Sequence, residues 1–423
     1  VESPTPQTDI TYDVQNPTPS ITSVANSATV SQIAAASGTV ADVINAAYSQ
    51  AASGRGQVDR VEIAIKAVDP AGGAILVPRY WDGTSFPEGG ESENWLNTNL
   101  YSGDSPPDME YAASSWTYPI TLHQLPTAAN GGLVNGRKFT IYLRAYDETG
   151  NAYTMFTVGE ASITFTADIG APSAGVTTPM NNAKLISLNP ISGTANDPLP
   201  AAGVSVSGIS LASMSLTYLQ GSTSYYWTGS VWQTVVADTE TWIIAGATPP
   251  PTTPAFTDTY TTSAVWSRSG AAWISDKNYT LRVRARDKAI PINNTGAISQ
   301  ISFTIDTSTP VSVIGTPASS PVSALTQITG TANADSAGLQ KVEITVTRSG
   351  DGWFWTGSSW SVNGATLPVQ ISGTTGDVTW TTNSLVTANL SAGTTYTIKA
   401  YATDLVTPDA NSQLPPGPAT YKK

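Results

Sequence analysis

The stretch Phe139-Thr-Ile-Tyr-Leu-Arg-Ala-Tyr-Asp147 returns as Tyr279-Thr-Leu-Arg-Val-Arg-Ala-Arg-Asp287 and again as Tyr396-Thr-Ile-Lys-Ala-Tyr-Ala-Thr-Asp404. Each copy alternates. Phe139, Ile141, Leu143 and Ala145 fall on one side, with Thr140, Tyr142, Arg144 and Tyr146 on the other. Tyr279, Leu281, Val283 and Ala285 match the first set, as do Tyr396, Ile398, Ala400 and Ala402. A period of two sends successive side chains to opposite faces of a strand. An apolar-in, polar-out rhythm belongs to an antiparallel sheet with one wet face.

Two further markers precede this strand in the same order every time. The first is a Gly-Thr step at the end of an early strand: Gly38-Thr39-Val40, Gly193-Thr194-Ala195 and Gly330-Thr331-Ala332. The second is an aromatic hairpin, Tyr80 to Phe86, Tyr226 to Trp232 and Phe354 to Trp360, built on Trp-x-Gly-x-x-aromatic. After the late strand comes a shorter one, Ile163-Thr-Phe165 or Ile301-Ser-Phe303-Thr-Ile305. It closes on Asp168 or Asp306, followed by Pro172 or Pro310. Markers that recur three times in the same order define internal repeats. The Pro-bearing stretches are their linkers.

The ends carry pieces of the same pattern. Ile10-Thr-Tyr12-Asp13-Val14, with Pro17 behind it, reads as a final strand and linker. Ala419-Thr-Tyr421-Lys422-Lys423 reads as the final strand of the third copy. The expected division is residues 1–16 as the last strand of a preceding repeat or a connector, then 17–168, 169–306 and 307–423 as three complete domains. In the first domain, Val40, Val43, Ile44, Ala47 and Tyr48 have helical spacing, which predicts a short helix in its second loop.

The hairpin, the Tyr-Thr-x-x-x-x-Ala-x-Asp strand and the Asp-x-x-x-Pro linkers resemble the bacterial immunoglobulin-like repeats of very large surface and secreted proteins. Leu390-Ser-Ala-Gly393-Thr-Thr-Tyr396 is similar to the corner before the sixth strand of fibronectin type III domains. The expected fold is therefore all-β: three tandem immunoglobulin-like antiparallel β-sandwiches in an elongated array, with a short helix inserted in the first. The resemblance implies stalks, adhesins or matrix components.

Composition agrees with that class. Of 423 residues only 12% are charged, about half the usual share, so Ser, Thr, Asn and Gly wet the surface. A net charge of −12 without a basic cluster argues against nucleic acid and anionic membranes as partners. Cysteine is absent, which removes disulfides, thiolate metal sites and Cys nucleophiles. No apolar run is long enough to span a bilayer. Val1-Glu2-Ser3-Pro4 lacks the features of a signal peptide, so an export signal or anchor is expected outside this segment. An extracellular or cell-surface location in a bacterium is the expectation.

Nothing in the sequence assembles a catalytic site. The single histidine, His123, lies in Thr121-Leu-His-Gln124 with no counterpart in the other repeats. No glycine-rich loop follows a strand to open a helix. No enzymatic activity is expected.

Three features remain as candidate sites. The recurring Trp81, Trp227 and Trp355 are read as core anchors, the alternative being exposed platforms for glycans. The loops after the second strand and after the late strand of such a sandwich share one end with the incoming linker. That end gathers Asp168, Asp197 and Asp287 in the second domain, Asp306, Asp335 and Asp404 in the third, and Asp13, Asp42 and Asp147 in the first. Calcium takes six to eight oxygens from carboxylates and main-chain carbonyls, so structural Ca2+ is the one cofactor to consider and none is required. The alternative is that each Asp caps a turn, and Asp42 has a further one as the start of the helix.

The third feature is the stretch from Tyr80 to Gly136, which has no Lys or Arg but holds Asp82, Glu88, Glu91, Glu93, Asp104, Asp108 and Glu110. It reads as an acidic insertion. Trp95 and Tyr101, with Glu91, Glu93, Asp104 and Asp108, are its candidate ligand-binding residues, because loops on rigid scaffolds collect binding residues. Ile10, Tyr12 and Val14 give the N-terminal strand an apolar face that could pair with another copy. The leading expectation is a spacer, stalk or filament-forming segment whose partners are copies of itself or neighbouring repeats. The rival is an adhesin-type module binding surface glycans or proteins.

Overall fold

The late strands form where their alternation dictates, as Lys138–Asp147, Lys277–Asp287 and Thr395–Asp404, with the apolar set of each buried. A computed structural model describes residues 13–42, 58–71, 73–101, 113–120, 134–200, 204, 206–234, 242–245, 263–268, 271–290, 295–382, 389–406 and 419–422. In it each late strand is the spine of a sheet. Lys138–Asp147 pairs antiparallel with Val58–Val68 and Ser162–Ala167. Lys277–Asp287 pairs with Ile209–Gln220 and Ser299–Ile305. Thr395–Asp404 pairs with Leu339–Arg348 and Ala419–Lys422.

A second sheet accompanies each spine sheet. Its strands run Thr18–Ile21, Ala35–Ala41, Ala113–Pro119 and Asn99–Tyr101 in the first domain. They run Ser173–Thr178, Ile191–Asn196 and Ser263–Arg268 in the second, and Val311–Thr316, Thr329–Asn333, Asp377–Thr381 and Gln370–Ile371 in the third. In the first two domains the chain then crosses between sheets. Thr29–Val30 joins the spine sheet parallel to Thr166–Ala167, and Ala183–Leu185 does so beside Phe303–Ile305. Two antiparallel sheets in this strand order are the immunoglobulin-like sandwich. Three separate hydrophobic clusters fill the three sandwiches.

Indoles dominate those cores. Trp81, Trp227 and Trp355 are 3%, 1% and 2% exposed. Each lies 5.1–5.4 Å from the aromatic that closes its hairpin, Phe86, Trp232 or Trp360. Burying a Trp removes roughly 150–250 Å² from water, an upper bound of about 4–6 kcal/mol at 25 cal/mol per Å².

A second buried set explains the Gly-Thr step. Gly38, Gly193 and Gly330 lie in register with Trp116, Trp266 and Trp380 on the neighbouring strand. A β-carbon at any of these glycines would overlap the indole ring and a backbone carbonyl. The indole N–H groups donate to Ser20, Thr194 and Thr331 carbonyls at 3.1, 3.2 and 3.0 Å. Glycine here makes room for a tryptophan.

The expected helix is not seen. Val40 belongs to the strand Ala35–Ala41, no α-helix occurs among the described residues, and residues 43–57 lie outside them. Val40 itself is taken by strand pairing, registered against Ser114 and Pro19, and the other four residues of that spacing lie outside the described residues. The acidic stretch needs correction too. It contains Ala113–Pro119, a strand of the second sheet whose Trp116 is buried, so it is not insertion throughout.

Candidate functional site

At one pole of each sandwich three loops meet. The linker aspartate comes first after the final strand and is fixed by its own backbone. Asp168 N–H donates to Val30 O at 2.7 Å, and Asp306 N–H to Leu185 O at 2.9 Å. Asp197 follows the strand Ile191–Asn196, and Asp335 lies just beyond Thr329–Asn333. Asp287 and Asp404 end their late strands. A β-bulge recurs at the start of the next strand, between Val58 and Arg60, Ile209 and Leu211, and Leu339 and Lys341. Bulges bend a strand and re-aim what precedes it, here the loop carrying the second aspartate.

The structure brings each expected set together. One carboxylate oxygen from each of Asp168, Asp197 and Asp287 lies within 4.8 Å of the others. The same holds for Asp306, Asp335 and Asp404, and for Asp13, Asp42 and Asp147. The second and third sandwiches share two of the bonds that hold these carboxylates. Ser207 N–H donates to Asp168 at 2.6 Å and Ala337 N–H to Asp306 at 2.7 Å. Ala289 and Val406 N–H groups donate to Asp287 and Asp404, both at 3.1 Å. The turn-capping reading is thus met as well, and it leaves other oxygens of the triads facing each other.

The first sandwich differs. Asp147 accepts from Thr149 N–H, Thr149 Oγ1, Asn151 N–H and Asn151 Nδ2 at 2.8–2.9 Å. Asn151 Nδ2 also reaches the Asp13 carbonyl at 3.2 Å. Asp42 takes its place in this triad, and the residues of the expected helix after it lie outside the described residues.

Crowded carboxylates hold their protons. Burial, then repulsion from Asp168 and Asp287, pushes Asp197 up to about 7. Burial and the neighbours Asp13 and Asp147 push Asp42 up to about 6. Burial and Asp306, then Asp404, raise Asp335 to about 7.

Beside the third triad stands a carboxylate that the sequence reading missed. Asp276 accepts Ser308 Oγ at 2.8 Å and Ser336 Oγ at 3.0 Å, and Ser336 Oγ also donates to Asp306 at 2.9 Å. Burial opposes its charge, but these hydroxyl bonds hold its pKa below the usual value. Asp276 sits at φ 61°, in the turn position that Gly136 and Gly393 occupy in the other sandwiches. Aligning the three corners before the late strand was the signal that could have revealed it.

The acidic stretch does not form a free aromatic platform. Trp95 stacks on Phe156 at 5.6 Å and 16°, and the Arg144 guanidinium lies 4.2 Å from its ring centroid. Its indole N–H donates to Glu93 at 3.2 Å, while Glu62 pairs with Arg144. Glu91 and Glu93 are exposed. Tyr101 ends the short strand Asn99–Tyr101, and Asp104, Asp108 and His123 lie outside the described residues. So do Ile10 and Tyr12, whereas Val14 is exposed and belongs to no strand. Of the chain's tryptophans only Trp353 is as much as 37% exposed, which leaves a glycan platform without its usual surface.

No protein-family model matches the chain, and no curated protein does. Among solved structures it is similar to a marsupial T cell receptor, with TM-score 0.31 and 7% identity over 96% of this chain and 99% of that one. Three N-terminal domains of the highly immunogenic outer capsid protein of bacteriophage RB49 give 0.28 and 10%, over 96% and 97%. Dimeric latent PorU from Porphyromonas gingivalis gives 0.18 and 11%, over 95% of this chain and 34% of that one. At TM-scores this low the likenesses add nothing to the sheet topology described above.

Proposed function

We propose that this chain is a non-enzymatic structural segment, a spacer of tandem immunoglobulin-like repeats of the kind found in large bacterial surface proteins, working outside the cell. The observation that supports this reading most is the junction between the first two sandwiches. Ser31 N–H donates to Ile290 O at 2.8 Å, and Ile290 N–H donates back to Thr29 O at 3.2 Å. A loop of the second sandwich is thereby laced to a strand of the first. Gly136 of the first also packs close to Pro200 and Val204 of the second. Lys184 of the second sandwich donates to the Ala337 carbonyl of the third. Units joined by backbone bonds as well as by a linker suit a part that must hold its length. Among the described residues no helix is long and apolar enough to cross a membrane.

The test is small-angle scattering on the 44.0 kDa chain. Strands of seven to nine residues span about 25–30 Å, so three domains end to end reach on the order of 100 Å, with a radius of gyration near 30 Å. A compact body of this length would give about 22 Å. A monomer with the larger value supports the spacer, and a value near 22 Å removes it. Specific retention on a glycan array, abolished by Trp353→Ala, would favour the adhesin reading instead.

A further inference from the structure

We propose that the aspartate triads are calcium sites, one at each pole. Proximity of acids alone would not carry this. The second observation is that the Oδ1 atoms of Asp197 and Asp42 are buried and accept no hydrogen bond. Their residues are 1% and 5% exposed. Elsewhere at these poles backbone N–H groups and hydroxyls are supplied with care, as Ser207, Gly208 and Ala289 do for the second triad. A buried carboxylate oxygen left without a donor is costly unless a cation takes it. Both orphan oxygens belong to residues of triads whose members approach within 4.8 Å.

The donor set selects the ion. Carboxylates without imidazole or thiolate suit hard cations and disfavour zinc or copper. Oxygens bound to one calcium ion at about 2.4 Å can lie up to about 4.8 Å apart, a span the triad oxygens do not exceed. Magnesium keeps several waters and demands an octahedron, which a pole with Asp168, Asp197 and Asp287 all buried does not suit. Calcium accepts irregular oxygen cages that include main-chain carbonyls. Each triad joins the linker to both apical loops of the domain that follows, so the ion would fasten a domain to its own linker.

The experiment uses the full chain stripped with chelator, titrated calorimetrically with CaCl2 and, in parallel, with MgCl2. Up to three equivalents of calcium should bind with Kd between about 1 µM and 1 mM, at least tenfold tighter than magnesium, and the unfolding midpoint should rise with calcium. Asp197→Asn should remove one equivalent and leave the others, and so should Asp335→Asn; two variants in different sandwiches guard against one that misfolds. Asp377→Asn, on an exposed strand end, should change nothing. No heat and no shift in unfolding at about 10 mM CaCl2 would overturn the proposal. Unchanged stoichiometry in both triad variants, or equal affinity for magnesium, would do so too. Scattering dimensions play no part in this outcome, so it succeeds or fails apart from the spacer reading.

Discussion

A β-carbon is the difference between a core that closes and one that does not at Gly330. An alanine there would press on the Val313 carbonyl and the Trp380 ring at once, and a strand carbonyl cannot swing aside. Gly330→Ala should cost about 3 kcal/mol, the upper end of overpacking, read as a lower urea midpoint for the third sandwich. A loss under about 0.5 kcal/mol would contradict the packing described. Titration is the other residue-scale effect. In the chelator-treated chain the folded state holds protons on Asp42, Asp197 and Asp335 at pH values where an unfolded Asp, at 3.8, has released them. The unfolded state binds fewer protons in that window, so stability should fall as pH rises from about 4 to about 7 and then level off. The depressed values of Asp69 and Asp276 act in the opposite sense but below 3.8. Thermal unfolding across this range checks the sign, and a rising curve would refute it. The triad residues were legible because each ends a recognisable strand. Asp276 was not, because a corner residue carries no periodicity.

The corner before the late strand illustrates what an element requires. Tyr279 OH donates to Ile274 O at 3.0 Å and accepts Ile274 N–H at 2.8 Å, and Tyr396 OH accepts Ser391 N–H at 2.8 Å. The first sandwich has Phe139, which instead stacks on Phe165 at 5.2 Å. Tyr396→Phe should therefore fold and lose about 1 kcal/mol, the net worth of one hydrogen bond, measurable by denaturant titration. An unfolded variant would show the corner to be essential. Late strands, hairpins and final strands were readable because alternation and turn chemistry are local signals. The strands carrying Trp116, Trp266 and Trp380 were not picked out. They pair with partners distant in sequence, Gly38 with Trp116 for example, and a single large residue among Ser and Thr gives no period. At Val40 the converse held: an apolar residue fits both periods until strand pairing decides.

Across the whole chain, three cores are joined by bonds that a linker alone would not make. Ile290 is the contact to test. Ile290→Pro deletes the N–H that reaches Thr29 while leaving all three hydrophobic clusters intact. The Ser31 amide should then exchange with solvent faster, with global unfolding nearly unchanged. Unaltered protection at Ser31 would mean that the bridge does not hold the junction. The short parallel pairings, Thr29–Val30 beside Thr166–Ala167 and Ala183–Leu185 beside Phe303–Ile305, have a consequence under load. A pull along the chain enters each of these sandwiches through its first two strands and leaves through its last, and because the second of them runs parallel to the last, the tension shears their bonds together instead of peeling them one at a time. Among the described residues the third sandwich has no such pairing, so its forced unfolding should come first and at lower force, leaving the first two as the part of the molecule that yields last.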